Sequence, residues 1–236
     1  MTVMAPRQRA RVSWARQAWV VLRKDIEVEL STGEVLTTSG FFALLVVVIA
    51  SLAFYAGPEQ RSATAPGVLW VAVAFATVLA LGRTWQRERE LEALSGILAL
   101  PVARSAIFAG KAAGIFVFAL AIEALVVPVT ALLFDLPLGE LGPGLALFCL
   151  GATPGISAAG TLFGALTVRT SARELVLTVV LFPLLAPALL AAVAGTRELV
   201  AGAPIAELGD YFALMGVFGV VFVAGGVGLF GTLVES

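Results

Sequence analysis

Long apolar runs separated by short polar stretches make up most of the chain. A helix that crosses a bilayer needs about 20 mostly apolar residues, because the hydrocarbon core is about 30 Å thick. Six runs meet this requirement and are predicted to be transmembrane helices: Thr37–Ala56, Ala65–Gly82, Ile107–Phe134, Gly144–Val168, Leu175–Ala194 and Tyr211–Leu233. The pattern therefore predicts an all-α integral membrane protein in which residues 1–236 form a single membrane domain.

The stretch before the first run has the pattern of an amphipathic helix. Its apolar stripe recurs at spacings of three and four residues and consists of Ala15, Trp19, Leu22, Ile26 and Leu30. Charged residues lie off this stripe, as in helices that lie along a membrane surface with their tryptophans at headgroup depth. We predict such an interfacial helix over residues 14–31. It is either an ordinary juxtamembrane anchor or a helix that also contacts a partner protein.

The distribution of positive charge predicts how the spans are oriented. All but two of the 15 Lys and Arg residues fall in the N-terminal stretch, in residues 83–111 or in residues 169–174. The two exceptions, Arg61 and Arg197, fall in the alternate loops. Because loops rich in Lys and Arg stay in the cytoplasm, both termini are predicted to be cytoplasmic.

The composition argues against several classes of protein. Hydrophobic residues form 60% of the 236 residues and charged residues only 13%, whereas about 25% of a soluble domain is charged. The chain has no histidine, which removes the most common metal ligand and general base. The single cysteine rules out a disulfide framework, and no basic tract suggests nucleic acid. We predict no catalytic residue and no metal site, so the chain is not expected to be an enzyme.

The dipeptide Gly110-Lys111 resembles the end of a phosphate-binding loop but lacks the rest of it. Such a loop needs a glycine five residues before the second glycine, and Ser or Thr after the lysine. Ser105 and Ala112 occupy these two positions. The chain itself is therefore not expected to hydrolyse ATP.

The fourth run contains a proline and several small residues. Pro154 lies near its middle, and Gly155, Gly160 and Gly164 follow it. Proline breaks or kinks a helix, and small residues four positions apart let helices approach closely. Close helix packing is the favoured interpretation of the glycines. The alternative is a discontinuous helix that moves during transport.

Glu123 is the only carboxylate deep inside a predicted span. An ionised carboxylate there costs about 2.5–3.5 kcal/mol on insertion scales, so it must face the bundle interior, be protonated or be paired. Lys111 lies three turns nearer the cytoplasm, and its amine is expected to extend in that direction. Two roles stay open for Glu123: a hydrogen bond to a neighbouring helix, and a contact with a transport pathway or a partner.

The polar segment of residues 83–106, between the second and third runs, is predicted to be cytoplasmic. Its first part has helix-forming residues of alternating charge, Ser95-Gly96 breaks that helix, and a short apolar piece follows. Exposed apolar residues beside a membrane usually contact something, so a docking element is favoured over a solvated hairpin. The residues predicted to dock a partner are Arg87, Glu88, Glu92, Ile97, Leu98, Leu100, Pro101 and Arg104.

Four stretches resemble the haem exporter protein B (CcmB) family. They are "LRKDIEVEL" (Leu22–Leu30), "APGVLWVA" (Ala65–Ala72), "LALPVARSAIFAGK" (Leu98–Lys111) and "GATPGISAAGTLFGAL" (Gly151–Leu166). Together, their order and spacing extend over nearly the whole chain. Members of this family are membrane subunits of an ATP-binding-cassette (ABC) system in cytochrome c maturation.

The resemblance implies a fold like that of type-2 ABC exporter permeases, in the inner membrane, with residues 83–106 as the coupling segment. ATP would be bound by a separate CcmA-like ATPase subunit. Further partners would be CcmC-like and CcmD-like membrane subunits and a CcmE-like haem chaperone on the outer side. Whether the chain pairs with a second copy or with another membrane subunit stays open.

The implied role is either haem export or ATP-driven release of the haem-loaded chaperone. The absence of histidine fits the second role better, because haem would then be held by a partner and no cofactor would be bound directly. One alternative is the permease of an unrelated type-2 ABC exporter for drugs or glycans. Another is a non-transporting scaffold of the maturation complex.

Overall fold

A computed structural model of the chain describes residues 12–54, 58–90, 96, 101–167 and 173–235. Within these residues the regular secondary structure is entirely helical. It consists of α1 (Trp14–Thr32), α2 (Glu34–Ala53), α3 (Pro58–Glu90), α4 (Arg104–Leu133), α5 (Leu138–Thr167), α6 (Arg173–Val200), a short 3-10 helix (Ile205–Glu207) and α7 (Gly209–Glu235). The prediction of an all-α protein is confirmed for the part of the chain that the structure describes.

Helices α2 to α7 are each long and apolar enough to cross a membrane. They correspond one to one to the six predicted runs, so the prediction of six long apolar helices is confirmed. The largest difference is in α3, which extends from Pro58 to Glu90 where the apolar pattern marked only residues 65–82. Charged residues with good helix propensity continue the helix beyond its apolar part, because helix formation does not require apolar side chains.

A sharp corner at Gly33 separates α1 from the first apolar helix. Gly33 has a φ of +63°, in the left-handed region that glycine adopts without steric penalty. Its N–H donates to the carbonyl of Glu29 at 2.6 Å, as in common helix C-caps. Glu34 then begins α2, where an acidic side chain suits the positive end of the helix dipole. The chain therefore turns from α1 into α2 within one residue.

Helix α1 turns a partly acidic face towards the bundle, which its apolar stripe did not indicate. The buried side chains are Val21, Asp25 and Glu29, whereas Trp19 and Leu30 of the stripe are exposed. Exposed apolar side chains on this helix suit a position at a membrane interface. The acidic residues face inwards because basic side chains of α3 and α4 lie opposite them.

Helices α3 and α5 form the centre of the bundle, whereas α7 is mostly exposed. Large aromatic side chains fill the centre, among them Trp70, Trp85 and Phe148. Trp70 Nε1 also donates to Thr196 Oγ1 of α6 at 3.0 Å. The exposed residues of α7 are largely apolar, which fits a protein whose solvent is lipid, because lipid tails are as apolar as leucine.

Glycines of α5 let the neighbouring helices approach closely. A Cβ at Gly164 would overlap Trp85 of α3, and one at Gly155 would lie 2.7 Å from Phe218 of α7. Gly160 packs against α3 in the same way. These contacts agree with close packing, the favoured interpretation of the three glycines.

Pro154 does not break α5. The helix is continuous from Leu138 to Thr167, so the alternative of a discontinuous helix is not found at this residue. Proline removes only one backbone donor, and the neighbouring Gly155 is packed tightly against α7. Packing against the surrounding helices therefore keeps α5 continuous.

Candidate functional site

Charged residues of α1, of the start of α2, of the end of α3 and of the start of α4 meet at one end of the bundle, which we call the charged end. Its members are Lys24, Asp25, Glu29, Glu34, Arg83, Arg87, Glu88 and Lys111. Beside them, Trp14 Nε1 donates to Ser105 Oγ at 2.9 Å, and the Ala103 N–H donates to Gln17 Oε1 at 2.8 Å. The start of α4 is therefore attached to α1.

The centre of the charged end is a fully buried lysine. Lys111 of α4 has no exposed side-chain surface, and its Nζ lies 2.5 Å from Glu88 Oε1 and 2.9 Å from Asp25 Oδ2. One ammonium thereby joins three helices, because Glu88 belongs to α3 and Asp25 to α1. The Lys111 amine lies at the charged end but does not reach solvent, because two buried carboxylates hold it inside the protein.

A second lysine completes this group. Lys24 Nζ lies 2.6 Å from the same Glu88 Oε1 and 3.1 Å from Asp25 Oδ1. Burial opposes the charge on Lys24, but the carboxylates of Asp25 and Glu88 outweigh it and raise the pKa of this lysine. Two ammonium and two carboxylate groups thus neutralise one another. Charges that are removed from water need such partners.

Arg87 extends the network to the first apolar helix. Its guanidinium lies 3.5 Å from Glu29 Oε2 of α1 and 3.2 Å from Glu34 Oε2 of α2. Glu29 also accepts a hydrogen bond from the backbone N–H of Leu36 at 2.8 Å. The Arg83–Glu34 pair, at 3.6 Å, is half exposed and contributes little, as surface ion pairs generally do.

Close backbone packing accompanies these ion pairs. A Cβ at Gly110 of α4 would lie 2.5 Å from the carbonyl oxygen of Ala18 of α1, and one at Gly114 would contact Asp25. Glycines on this face of α4 therefore let α1 lie close enough for its acidic side chains to reach Lys111. The Gly110-Lys111 dipeptide is therefore explained by helix packing at the glycine and ion pairing at the lysine. No bound nucleotide is needed to explain it.

The predicted docking residues divide into three groups. Glu88 is buried and Arg87 is largely buried within the charged end, and the charges of both are paired within the protein. Pro101 is exposed and Arg104 is half-buried at the start of α4. The other four, Glu92, Ile97, Leu98 and Leu100, lie outside the described residues.

The buried carboxyl of Glu123 lies elsewhere, between α4 and α5. Its side chain is 2% exposed, and its Oε1 accepts a hydrogen bond from Thr153 Oγ1 at 2.6 Å. The structural role proposed for Glu123, a hydrogen bond to a neighbouring helix, is therefore present. Its Oε2 has no hydrogen-bond partner among the described residues, and the residue lines a cavity between the two helices.

Sequence reasoning missed Asp25 and Glu29 as inward-facing residues. One signal could have indicated them: two acidic residues four positions apart share one face of a helix. The second signal was a lysine at the start of an apolar run, which needs an acidic partner if it is buried. No group of three or more His, Cys, Asp or Glu side chains that could hold a metal ion occurs in the part of the chain that the structure describes.

Comparisons with known proteins agree on one family. A family model described as CcmB protein matches residues 16–230. Heme exporter protein B of Bradyrhizobium diazoefficiens is 29% identical over 190 residues, which cover 77% of this chain and 82% of the relative. The protein of the same name from Paracoccus denitrificans is 31% identical over 163 residues, which cover 68% and 74%. That from Rhodobacter capsulatus is 27% identical over 175 residues, which cover 72% and 78%.

Proposed function

This chain belongs to the CcmB family, and we propose that it is the permease subunit of an ABC transporter complex for cytochrome c maturation. The match over residues 16–230 establishes the family, and the six apolar helices make the chain a multi-pass membrane protein. Its relatives carry the name heme exporter protein B, which supports haem or a haem-loaded carrier as the cargo. The membrane would be the inner membrane, with the charged end on its cytoplasmic side.

Energy would enter through a separate CcmA-like ATPase that docks on residues 83–106, the coupling segment of a type-2 ABC exporter fold. The Lys111–Glu88 ion pair is the observation that carries this proposal, because it joins Glu88 of that segment to α4. Lys111 also binds Asp25 of α1. A displacement of the coupling segment would therefore be passed to α1, α3 and α4 together.

The cargo step has two forms that the family name leaves open. Haem could cross the membrane through this subunit, or motion could release haem-loaded CcmE-like chaperone on the outer side with CcmC-like and CcmD-like subunits. Histidine is the usual axial ligand of haem iron, and the chain has none. This supports chaperone release with haem held by a partner. Vesicles that contain the purified complex would separate the two forms by whether ATP drives haem across the bilayer.

The proposal is tested by placing charge on the predicted docking surface. Leu98→Asp combined with Leu100→Asp should abolish co-purification of the ATPase subunit, because a carboxylate in an apolar contact is left without a partner. Haem-stained c-type cytochromes should be lost as a result. Both residues lie outside the described part of the chain. The amount of permease in the membrane should stay unchanged.

Ile205→Asp is the matched control, because Ile205 is an exposed apolar residue in the 3-10 helix between α6 and α7. It should leave the ATPase bound and cytochrome maturation intact. If the ATPase still co-purifies with the double variant and cytochromes mature, the docking assignment is wrong. If deletion of the chain leaves c-type cytochromes fully haem-stained, the proposed function itself is wrong.

A further inference from the structure

A cavity of about 400 Å³ lies between α4 and α5. Its volume is in the range of small-molecule sites. The lining residues are Leu120, Glu123, Ala124, Val127, Pro128, Leu138, Gly142, Ala146, Cys149 and Leu150. Ala124, Ala146 and Leu150 are exposed on the outer surface of these two apolar helices, so the cavity opens sideways, towards lipid.

One buried carboxyl oxygen in this cavity is left without a partner. Glu123 is 2% exposed, and Thr153 occupies only its Oε1. Its Oε2 forms no hydrogen bond among the described residues. A buried polar atom without a partner costs about 1–3 kcal/mol, so a donor that enters the cavity would be stabilised there.

The neighbouring residues do not supply this donor. The Cys149 thiol lies within hydrogen-bonding reach of the carboxyl group, but a thiol is only a weak donor, and Oε2 has no N–H or O–H partner among the described residues. Lys111 is twelve residues away on the same helix, about 18 Å along its axis, and it is bound to Glu88 and Asp25. Glu123 therefore lines an apolar space whose described lining contains no basic side chain.

Water and a partner helix both fit this space poorly. A buried water needs two to four polar partners, and the only polar side chains of the lining are Glu123 and the weakly polar Cys149. A helix with its side chains is about 10–12 Å wide and would not enter a cavity of about 400 Å³. A small molecule with an apolar body and one donor group matches both the lining and the free oxygen.

We propose that the cavity between α4 and α5 binds a small membrane-dissolved amphiphile whose hydroxyl or amine head donates a hydrogen bond to Glu123. The apolar body lies against the aliphatic side chains at the mouth, such as Leu120 and Leu150. A ligand with an ionised carboxylate head is disfavoured, because its charge would enter an apolar cavity whose described lining has no basic side chain. This site is independent of the ATPase-docking surface and of the proposed role in cytochrome maturation.

The test is photo-crosslinking of the full chain in lipid nanodiscs. One probe is an aliphatic alcohol that carries a diazirine, a second is the matching aliphatic amine, and the third is the hydrocarbon without a head group. Mass spectrometry locates the labelled residues. The alcohol and the amine should label the cavity lining roughly tenfold more than the hydrocarbon does, as expected for a hydrogen bond to a carboxylate.

Variants separate the carboxyl group from the shape of the cavity. Glu123→Leu should remove the excess labelling, whereas Glu123→Gln should retain part of it through the amide oxygen. Ala146→Phe should block labelling by filling the mouth of the cavity while leaving the carboxyl group in place. This variant tests the proposal if Glu123→Leu does not fold. Leu132→Ala, at an exposed α4 residue outside the lining, should change nothing.

Four results would overturn the proposal. The first is equal labelling by the hydrocarbon, and the second is an excess that persists in Glu123→Leu. The third is labelling of exposed α7 residues, such as Val217, as strong as that of the lining. The fourth is labelling that is present in the isolated chain but absent in the assembled complex, which would assign the cavity to a partner's side chain.

Discussion

Lys111 shows how this protein holds an ammonium group without water. Moving a charge into a low-dielectric interior costs several kcal/mol, and pairing offsets this only where the geometry is good. Glu88 and Asp25 provide two close carboxylates. Lys24 contacts both of them and supplies the second positive charge. The charges of this group balance as a set, so removal of any one member leaves one uncompensated charge among the others.

Lys111→Met keeps the length of the side chain but removes its charge, and it should destabilise the protein by about 3–5 kcal/mol. The reason is that Glu88 and Asp25 lose a partner that they cannot replace with water. Thermal unfolding of the purified protein in detergent would measure the loss. Adding Glu88→Gln to Lys111→Met should recover part of it, because one uncompensated carboxylate is then removed.

Arg23→Met is the control for this prediction. Arg23 pairs with Glu27 one turn away, at 2.6 Å, but both side chains are exposed. Such a pair contributes only about 0.3–0.5 kcal/mol, so the unfolding temperature should hardly change. Similar losses in Lys111→Met and Arg23→Met would show that the buried pairs add no more than a surface pair.

The residue scale is also where prediction from sequence was weakest. Glu88 looked like one of several surface charges in an alternating stretch, and Lys111 looked like a cation at a helix end. The partners of Lys111 are 23 and 86 positions away along the chain. Local pattern carries no information about such pairs, because they depend on which helices are neighbours and at what height.

At the scale of elements, the six apolar helices were predictable because lipid imposes a simple rule: every backbone polar group must be satisfied within the segment that crosses. The polar extension of α3 to Glu90 was predictable from its helix-forming residues of alternating charge. The inward face of α1 was not, because an apolar pattern does not mark polar contacts. Gly155, Gly160 and Gly164 of α5 indicated close packing in general. They did not indicate that α3 and α7 would be the neighbours.

Helix α1 provides a test of this packing. Gly110→Ala should destabilise the protein by about 1–3 kcal/mol, the usual cost of overpacking, because the new Cβ would lie 2.5 Å from the backbone carbonyl of Ala18. Hydrogen exchange should show α1 exchanging faster while α3 and α5 stay protected. Thermal unfolding gives the overall loss.

Gly216→Ala is the matched control, because Gly216 also lies within a helix and a Cβ added there would meet no atom within 4 Å. Alanine is favoured over glycine in a helix by about 1 kcal/mol, so this variant should be neutral or more stable. Both substitutions replace glycine with alanine, but they should change the free energy of unfolding in opposite directions. An unchanged or raised stability in Gly110→Ala would mean that α1 does not pack against α4 at this point.

At the scale of the whole molecule, the ion pairs bear on how the chain is oriented in the membrane. Lys24, Arg83, Arg87 and Lys111 are paired with acidic residues, so the charged end has less net charge than its basic residues suggest. The positive-inside rule counts Lys and Arg rather than net charge, and acidic residues weigh little in it. Pairing in the folded state therefore does not weaken the predicted cytoplasmic location of this end.

Cysteine labelling tests that location directly, because Cys149 is the only cysteine of the chain. In a Cys149→Ala background, Ala201→Cys places a thiol just beyond α6, and Ser31→Cys places one at the end of α1; both positions are exposed. A membrane-impermeant maleimide added to right-side-out spheroplasts should label Ala201→Cys at once and Ser31→Cys only after permeabilisation. The reverse pattern would put the charged end outside, and a cytoplasmic ATPase could then not reach the helices that Lys111 joins.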